Sequence, residues 1–239
     1  MDQLENIQNS LTSLMKNWKV EKPIYDLHLG TRKDVIDHQV RTDGVIFHIP
    51  FLEIDKLYVL WKCLWPDCHN CCERQGRLPL TKDDIKTIAK KLGYTSKFDF
   101  LTNETRISSW TESDTVNNVI STISMISLKR RTDEAENLDG LPVTCRFLDE
   151  KGYCEIHPEK PGVCWLYPFA SWMENKSNRF EVHASFQLTG DCPGFYTSNT
   201  LDPMMDILKE YSKKIFDYNM SINRTTRESY GFINITQLK

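Results

Sequence analysis

The first eighteen positions of the chain repeat apolar residues at steps of three and four. This spacing places one apolar face along an amphipathic helix, which we expect to cover part of the core. The residues of that face are Leu4, Ile7, Leu11, Leu14, Met15 and Trp18. Pro23 is expected to end the helix, because proline removes a backbone donor and clashes with the preceding turn. Residues 45–49 and 58–61 are rich in β-branched and aromatic side chains, which predicts short strands.

The middle of the chain carries the start and stop signals of two helices. Thr81 is expected to cap the first helix, with Asp84 three residues later in a variant of the capping box. Gly93 is placed to end this helix. A second short helix is predicted near residues 96–102. A strand is predicted near residues 123–130, in a stretch rich in Ile, Val, Ser and Thr.

The later part of the chain predicts two hairpins, each with a four-residue turn. Their strand segments are residues 146–148 with 153–156, and residues 169–173 with 179–184. A C-terminal helix is predicted to begin near Pro203. We therefore expect an α+β fold, in which helices pack around short hairpins and irregular loops.

Composition places the chain among globular proteins. It has 239 residues, 40% of them hydrophobic, and it shows no internal repeat or low-complexity linker. We expect a single domain over residues 1–239. Helices would flank a cysteine-cluster core at about residues 62–194, which holds every cysteine of the chain.

The charge pattern indicates no particular partner. A net charge of −3 gives no general attraction to nucleic acid or to an anionic membrane. One compact basic run, Lys129-Arg130-Arg131, is interpreted as a solvated strand end rather than as a phosphate site.

Two sorting signals are missing from the sequence. The start lacks the basic residues and apolar run of a secretory signal, and no stretch reaches the roughly 18 apolar residues of a membrane helix. We therefore expect a cytoplasmic protein that does not enter a membrane. Thiols stay reduced in that compartment, so the cysteines are expected to be metal ligands rather than disulfide partners.

The cysteines form two groups, four of them within ten residues and four spread over the second half of the chain. They are Cys63, Cys68, Cys71, Cys72, Cys145, Cys154, Cys164 and Cys192. Thiolates are soft ligands that favour zinc, copper(I) or iron–sulfur clusters, so all eight are candidate metal ligands. They could fill two four-cysteine sites, or one site with spare thiols.

The first cysteine group suits zinc or iron–sulfur chemistry. Cys63-x₄-Cys68-x₂-Cys71 has gaps within the range of zinc-binding pairs, and it also matches the plant-type [2Fe–2S] spacing. Bulky residues in the first gap, such as Trp65, argue against a ferredoxin loop. Neighbouring side chains diverge, so Cys72 beside Cys71 is hard to place on the same metal, and one of the two could serve a second metal or sit outside the ligand sphere.

Other candidate ligands are few. His69 and His157 lie inside or just after the cysteine groups, and each is either a ligand or an ordinary loop residue. Asp191, next to Cys192, is interpreted as a turn residue rather than an oxygen ligand. The sequence has no dinucleotide-binding glycine motif, P-loop, nucleophile elbow or His-Glu-x-x-His, so it indicates none of these enzyme classes.

Five cysteine-bearing blocks follow one another in order. They are the segment Cys63 to Cys72, Cys145-Arg-Phe-Leu, Tyr153-Cys-Glu-Ile-His, Lys160-Pro-Gly-Val-Cys-Trp-Leu-Tyr-Pro-Phe169, and Cys192. In this order the blocks, over about residues 62–194, resemble the YkgJ-type cysteine-cluster family. The resemblance implies zinc or iron chelation by the cysteines. It extends to flagellin lysine N-methylases, which use S-adenosylmethionine with an iron–sulfur cluster.

The chain departs from the family pattern at three places. The first gap is four residues rather than two, Lys160 stands where the family has arginine, and Trp165 stands where it has a second arginine. The loss of two guanidinium groups removes bidentate donors for an anion. This weakens the case for a shared substrate-binding role.

Three functional hypotheses follow. The first is a metal-binding protein whose cysteines hold an iron–sulfur cluster or a zinc or iron ion, and whose site staples the middle of the fold. The second is a methyltransferase-like enzyme that uses such a cluster with S-adenosylmethionine, for which the sequence carries no binding motif. The third is a structural zinc module that acts through protein partners, since one zinc site can supply about 10–16 kcal/mol of folding free energy.

Overall fold

The structure of the protein is a computed structural model with two compact units. It describes residues 3–73, 77–114, 119–131, 143–176, 179–188, 190, 192–227 and 233–237. Unit 1 comprises Met1–Cys71 and Leu166–Phe216, and unit 2 comprises Cys72–Trp165 and Asp217–Lys239. Helices make up 37% of the chain and strands 29%, which confirms the α+β class. The expectation of one domain over residues 1–239 stays a prediction.

Helices and strands alternate along the chain in the following order. They are α1 (Gln3–Trp18), α2 (Lys22–His28), β1 (Val35–Thr42), β2 (Val45–Leu52), β3 (Leu57–Trp61), α3 (Asn70–Glu73), α4 (Lys82–Lys91), α5 (Lys97–Glu104), β4 (Thr105–Asp114), β5 (Val119–Leu128), α6 (Gly162–Leu166), β6 (Phe169–Lys176), β7 (Arg179–Phe186), β8 (Phe195–Ser198), α7 (Asp202–Arg227) and β9 (Ile233–Gln237).

Within the described residues, unit 1 holds a six-stranded sheet. The strands follow the order β6-β7-β2-β3-β8, and β1 also pairs with β2. Neighbours are antiparallel except β2 and β7, which run parallel with Val45 opposite Val182. This parallel pair joins the two chain segments of the unit. The sequence predicted hairpins, and it gave no sign of this long-range pairing.

The hairpin of β1 and β2 turns at Asp43 and Gly44. Both residues have positive φ, 44° and 83° respectively. A two-residue hairpin turn of type I′ requires positive φ at both positions, which Asp tolerates and Gly adopts without a Cβ clash. The turn sets the register of the pair, in which Thr42 faces Val45 and Val35 faces Leu52.

Phe169 on β6 is the centre of an aromatic core in unit 1. Its ring contacts those of Phe47, Trp61, Phe186 and Tyr211, with centroids 5.1–5.9 Å apart. Tyr211 lies on α7, so this cluster packs the first half of α7 against the sheet. Three apolar residues of α7 are fully buried: Met204, Leu208 and Ile215.

Unit 2 combines the antiparallel sheet β4-β5-β9 with α4 and α5. The predicted capping box is present, because the Thr81 hydroxyl accepts the N–H of Asp84 and the Asp84 carboxylate accepts the N–H of Thr81. Gly93 follows α4 with a φ of 77°, as its predicted role in ending the helix requires.

A buried cluster links α4, α5 and β5, and it includes a cysteine. Cys145 is one of its members, and Cys72 and Cys154 pack against it. The other members are Leu80, Ile85, Ile88, Ala89, Phe100, Leu128, Phe147 and Ile156. Three candidate ligands of unit 2 therefore belong to its core or line it.

Most of the predicted elements are confirmed with shifted ends. The strands predicted at residues 45–49 and 58–61 lie within β2 and β3, and the short helix near residues 96–102 is α5. The strand predicted near residues 123–130 is β5, which begins and ends earlier. The C-terminal helix is α7, and the second hairpin is β6 with β7. Part of its turn, residues 177–178, lies outside the described residues.

The segment between Arg146 and Ile156 forms the predicted turn without the predicted strands. The N–H of Asp149 donates to the carbonyl of Tyr153 at 2.9 Å. Within the described residues, the β-ladder of this turn is reduced to an isolated bridge between Leu148 and Cys154. The turn places Cys154 back beside the chain that leaves Cys145.

The expectation that Pro23 ends the first helix was wrong. Helix α1 ends at Trp18, and Lys19 takes a φ of 55°. Pro23 lies in the first turn of α2, where a missing N–H leaves no helical hydrogen bond unmade.

The interpretation of the basic run as solvated was wrong for Arg130, whereas Arg131 is exposed as expected. Arg130 is buried, with 6% of its surface exposed. The Lys129 ammonium donates to the carbonyls of Thr102 and Asn103, each at 2.9 Å. Lys129 therefore anchors the end of α5 to the end of β5.

No helix in the described residues is both long enough and apolar enough to cross a membrane.

The ionised Asp34 carboxylate should stabilise the fold of unit 1, and this contribution should be lost in acid. Its carboxylate accepts two hydrogen bonds from Arg32, at 2.8 and 2.6 Å, and one from the N–H of Ile54. The Arg32 guanidinium lowers the pKa of Asp34 from 3.8 to about 2. The folded-state pKa is thus below the unfolded one, so the interaction stabilises above about pH 4 and is lost as the pH falls toward about 2.

We expect Asp34→Asn to remove this pH dependence. Urea unfolding midpoints of the wild type should fall between about pH 4 and about pH 2 by more than those of the variant. Asp206→Asn, which changes an exposed carboxyl on α7, is the control and should follow the wild type. Parallel curves for the wild type and Asp34→Asn would contradict the prediction.

Candidate metal centre

All eight cysteines lie in the described part of the chain and are free thiols. They divide evenly between the units. The unit 1 thiol set is Cys63, Cys68, Cys71 and Cys192, and the unit 2 thiol set is Cys72, Cys145, Cys154 and Cys164. The adjacent cysteines Cys71 and Cys72 thus belong to different sets.

Backbone contacts bring Cys72 and Cys145 together in unit 2. The N–H of Cys145 donates to the carbonyl of Cys72 at 2.6 Å. Arg131 then fixes the turn that follows, because its Nη2 donates to the carbonyls of Cys145 and Leu148, each at 3.1 Å. Two cysteines that are distant in sequence are therefore held side by side by main-chain groups.

The turn after Cys145 returns the chain to Cys154. The carboxylate of Asp149 accepts the N–H groups of Lys151 and Tyr153, each at 2.8 Å, in an Asx-type turn. The N–H of Glu155 donates to the carbonyl of Phe147 at 2.8 Å. These bonds keep Cys154 close to Cys145.

Backbone N–H groups point at two of these sulfurs. Burial raises the pKa of Cys145 to about 11, and a hydrogen bond from the N–H of Phe147 opposes that shift. Burial also raises the pKa of Cys154, which is opposed by hydrogen bonds from the N–H groups of Ile156 and His157. Such N–H donors stabilise negative charge on sulfur, as they do around metal-bound thiolates.

Cys164 lies on α6 and completes the unit 2 thiol set. Burial raises its pKa, Lys160 lowers it, and negative charge at Cys145, Cys72 and Cys154 raises it further. The four thiols of the set are therefore within electrostatic range of one another.

Asp84 ties α6 to α4. Its Oδ1 accepts the N–H of Gly162 at 3.0 Å, while its Oδ2 accepts the N–H of Thr81 at 2.8 Å. One carboxylate thus caps α4 and holds the start of the helix that carries Cys164. The sequence indicated the first role and not the second, since Gly162 is far away along the chain.

The unit 1 thiol set lies where β3 ends and β8 begins. The N–H of Lys62 donates to the carbonyl of Gly194 at 3.0 Å, which brings the chain next to Cys63 close to the chain next to Cys192. The indole N–H of Trp61 donates to the sulfur of Cys192 at 3.3 Å.

Tyr211 on α7 faces the same thiols. Burial raises its pKa, and negative charge at Cys63, Glu210, Cys71 and Cys192 adds to the shift. In this set Cys63 and Cys71 are exposed, and Cys68 and Cys192 are half-buried. The unit 1 thiols are therefore more accessible to solvent than Cys145, which is buried.

The cysteine sulfurs lie in two groups, but neither group surrounds a point where a metal ion could sit. In the described ranges, no three side chains of His, Cys, Asp or Glu lie close enough together to enclose a metal ion. The ring of His157 packs against that of Trp165, with centroids 5.6 Å apart. The ligand roles considered for His69 and His157 stay predictions, and Asp191 lies outside the described residues.

The sequence analysis did not predict a cluster of histidine and carboxylate side chains on the sheet of unit 1. His48 contacts Asp37 through Nδ1 at 2.7 Å and His183 through Nε2 at 2.9 Å. His183 is only 3% exposed and faces the carboxylates of Glu174 and Glu181 at 3.6 and 3.8 Å. Four separate strands supply these residues, so no local spacing could have grouped them.

Comparison with family models places seven of the eight cysteines, all except Cys192, within a known domain. The model named CxxCxxCC, with the description "Putative zinc- or iron-chelating domain", matches residues 62–189, more than half of the chain. The chain belongs to the CxxCxxCC family. This membership supports a metal-binding function for the chain. A search of curated proteins and a search of solved structures found no match.

Replacement of Gly194 by alanine, the residue with the smallest side chain, should destabilise the protein. A Cβ at this position would lie 2.1 Å from the carbonyl oxygen of Lys62 and 2.9 Å from Nε1 of Trp61. The carbonyl oxygen of Lys62 is a backbone atom and cannot rotate away. Gly194→Ala should therefore lower the free energy of unfolding by about 3 kcal/mol. Urea unfolding measures this loss.

Gly30→Ala is the matched control. Nothing lies within 4 Å of a Cβ there, and only its φ of 67° is unfavourable for alanine, at about 1 kcal/mol. A similar loss in the two variants would show that close packing at Gly194 is not the cause.

Asp84→Ala should loosen the segment that carries Cys164. It removes the capping box of α4 and the acceptor for Gly162, at an expected loss of about 2 kcal/mol in unfolding free energy. Cys164 should also react faster with an alkylating reagent, which peptide mass spectrometry can follow residue by residue. Asp83→Ala, one position earlier in α4, is the control and should leave Cys164 alkylation unchanged.

Proposed function

We propose that the chain binds zinc or iron through all-thiolate sites, with the unit 2 thiol set as the principal site. Its residues are Cys72, Cys145, Cys154 and Cys164. The supporting observation is geometric: the N–H of Cys145 donates to the carbonyl of Cys72 at 2.6 Å, and Cys72 and Cys154 pack against the buried cluster that contains Cys145, all inside one unit. Family membership supports the same chemistry.

The donor chemistry of the set suits the proposed metals, and binding would require the four thiols to close around the ion. Four thiols match the four-cysteine ligation of structural zinc and of iron–sulfur clusters. N–H groups already face the sulfurs of Cys145 and Cys154. Burial raises the pKa of these thiols, and a bound cation offsets that effect because it stabilises the thiolate form.

The unit 1 thiol set is a second candidate site of the same kind. Cys63, Cys68, Cys71 and Cys192 lie within one unit, and three of them face Tyr211. Because two of these thiols are exposed, we expect metal bound there to exchange faster than metal at the unit 2 set.

The identity of the bound metal would determine the function of the loaded site. Zinc would supply folding free energy, and an iron–sulfur cluster would supply electron transfer. Anaerobically purified protein that is brown and releases acid-labile sulfide would establish a cluster. Colourless protein with stoichiometric zinc and no sulfide would establish zinc.

The methyltransferase-like alternative depends on S-adenosylmethionine. Titration calorimetry of the metal-loaded protein with S-adenosylmethionine tests it directly. A measurable heat of binding would support the enzyme, and a flat titration would remove it.

Cysteine-to-serine pairs test the assignment of thiols to two sites. We expect about two metal equivalents in the wild type, and about one in Cys72→Ser or in Cys71→Ser. Each variant removes a ligand from a different set, so the double variant should retain almost none. Metal content by mass spectrometry of the elements, on protein of measured concentration, gives these values.

The matched control combines two changes within one set. Cys72→Ser with Cys154→Ser should retain the same equivalent as Cys72→Ser alone, because both residues belong to the unit 2 set. A complete loss of metal in this pair, or a single equivalent in the wild type, would contradict two separate sites.

A further inference from the structure

Two histidines of unit 1 share a hydrogen bond on the face of the sheet that is opposite its core. Nε2 of His48 on β2 lies 2.9 Å from Nδ1 of His183 on β7, and we call these two residues the histidine pair. Their neighbours Phe47 and Ala184 are fully buried on the other face, as the alternation of side chains along a strand requires. Because β2 and β7 come from different chain segments, the pair lies across the parallel junction that joins them.

The Asp37 carboxylate fixes one proton on His48. It lies 2.7 Å from Nδ1 of that ring. An ionised carboxylate only accepts hydrogen bonds, so Nδ1 carries a proton and donates it. In neutral His48 the other nitrogen, Nε2, is then an acceptor, and the proton between the two rings comes from Nδ1 of His183. Two ring protons thus satisfy both hydrogen bonds and leave Nε2 of His183 bare.

Two carboxylates face that remaining nitrogen. Oε2 of Glu174 and Oε2 of Glu181 lie 3.6 and 3.8 Å from Nε2 of His183. Oε1 of Glu174 accepts the indole N–H of Trp172 at 2.9 Å. Oε1 of Glu181 accepts a hydrogen bond from Arg41 at 3.0 Å. These bonds orient both carboxylates, which repel a bare nitrogen lone pair and attract a protonated ring.

The ring of Trp172 also favours a positive charge on the pair. It lies nearly parallel to the rings of His48 and His183, with centroids 5.4 Å from each. An aromatic face within about 6 Å attracts a cation, and more strongly where water is excluded. His183 is only 3% exposed, and its burial disfavours a charge. The same burial strengthens the attraction of the two glutamates, which is why the charged ring is favoured.

The surroundings of the pair favour one additional proton and no more. The charged side chains around it in the described residues are Asp37, Arg41, Glu174 and Glu181. Three are acidic and one is basic, so the surroundings are negative when the pair is neutral. A fourth ring proton would set two N–H groups against each other across the 2.9 Å contact, because both nitrogens of that contact would be donors.

We propose that the histidine pair is a protonation site, which in the folded protein at neutral pH carries three ring protons and one positive charge. The additional proton is taken up from solvent. Its charge attracts the carboxylates of β6 and β7, and the hydrogen bond between β2 and β7 is kept. The pair thereby makes the stability of unit 1 depend on pH, and metal binding by the cysteines plays no part in it.

Nitrogen NMR of the imidazole rings counts these protons directly. A bare ring nitrogen and a protonated one resonate far apart. Full-length protein labelled with ¹⁵N-histidine is the sample, and His48→Gln and His183→Gln assign the signals. At about pH 7 we expect one bare nitrogen in the pair, whereas two neutral rings would show two.

Glu174→Gln combined with Glu181→Gln is the informative variant. It removes two negative charges and keeps amide oxygens that can accept from Trp172 and Arg41. We expect a second bare nitrogen to appear in the pair, because the attraction for the additional proton is lost. Glu53→Gln, which removes an exposed carboxylate in the turn after β2, is the matched control and should keep one bare nitrogen.

Alkali should destabilise the wild type more than this double variant. Above about pH 7 the folded pair holds a proton that histidines of the unfolded chain bind weakly. The folded state then binds more protons than the unfolded state, so the free energy of unfolding falls as the pH rises. Between about pH 7 and about pH 9, urea unfolding midpoints of the wild type should fall by more than those of the double variant.

The results that overturn the protonation site are distinct. Two bare nitrogens in the pair of the wild type would do so without any substitution. One bare nitrogen in both the wild type and the double variant would show that the two glutamates do not hold the proton. An equal loss of stability in alkali for both proteins would remove the link between this proton and folding.

Discussion

The hydrogen bond from the N–H of Cys145 to the carbonyl of Cys72 is the contact on which the proposed unit 2 site depends. It is 2.6 Å long and joins two cysteines that are far apart along the chain. Closing such a loop costs conformational entropy, which the surrounding core must offset. Cys145 is buried in that core, and Cys72 and Cys154 pack against it. These three cysteines are therefore held by the same hydrophobic contacts that hold the unit.

Burial and metal binding favour opposite protonation states of the unit 2 thiols. Burial raises the pKa of Cys145, Cys154 and Cys164, which favours the neutral thiol. Metal binding needs the thiolate. The structure supplies what favours the charged form: N–H groups directed at sulfur, and the cations Lys160 and Arg131. A bound metal would be the largest of these positive charges, so metal binding and the folded state should stabilise each other.

The two thiol sets differ in setting. Cys145 is buried in the core of unit 2, whereas Cys63 and Cys71 are exposed in unit 1. Unit 1 instead surrounds its cysteines with aromatic groups, since Trp61 donates to Cys192 and Tyr211 faces three of the thiols. This contrast is the physical basis for expecting two sites with different exchange rates.

The sequence alone determined the local features, because their signals lie within a few residues of one another. The capping box of Thr81 and Asp84, the stop at Gly93 and the thiol chemistry of the cysteines could all be predicted. Tertiary structure decided everything that joins distant segments. The parallel pairing of β2 with β7, the burial of Arg130 and the second role of Asp84 depend on neighbours that no local spacing reveals. The same holds for the cysteines: their spacing left open whether Cys71 and Cys72 serve one metal or two, and only the fold of each unit groups Cys71 with the unit 1 thiols and Cys72 with the unit 2 thiols.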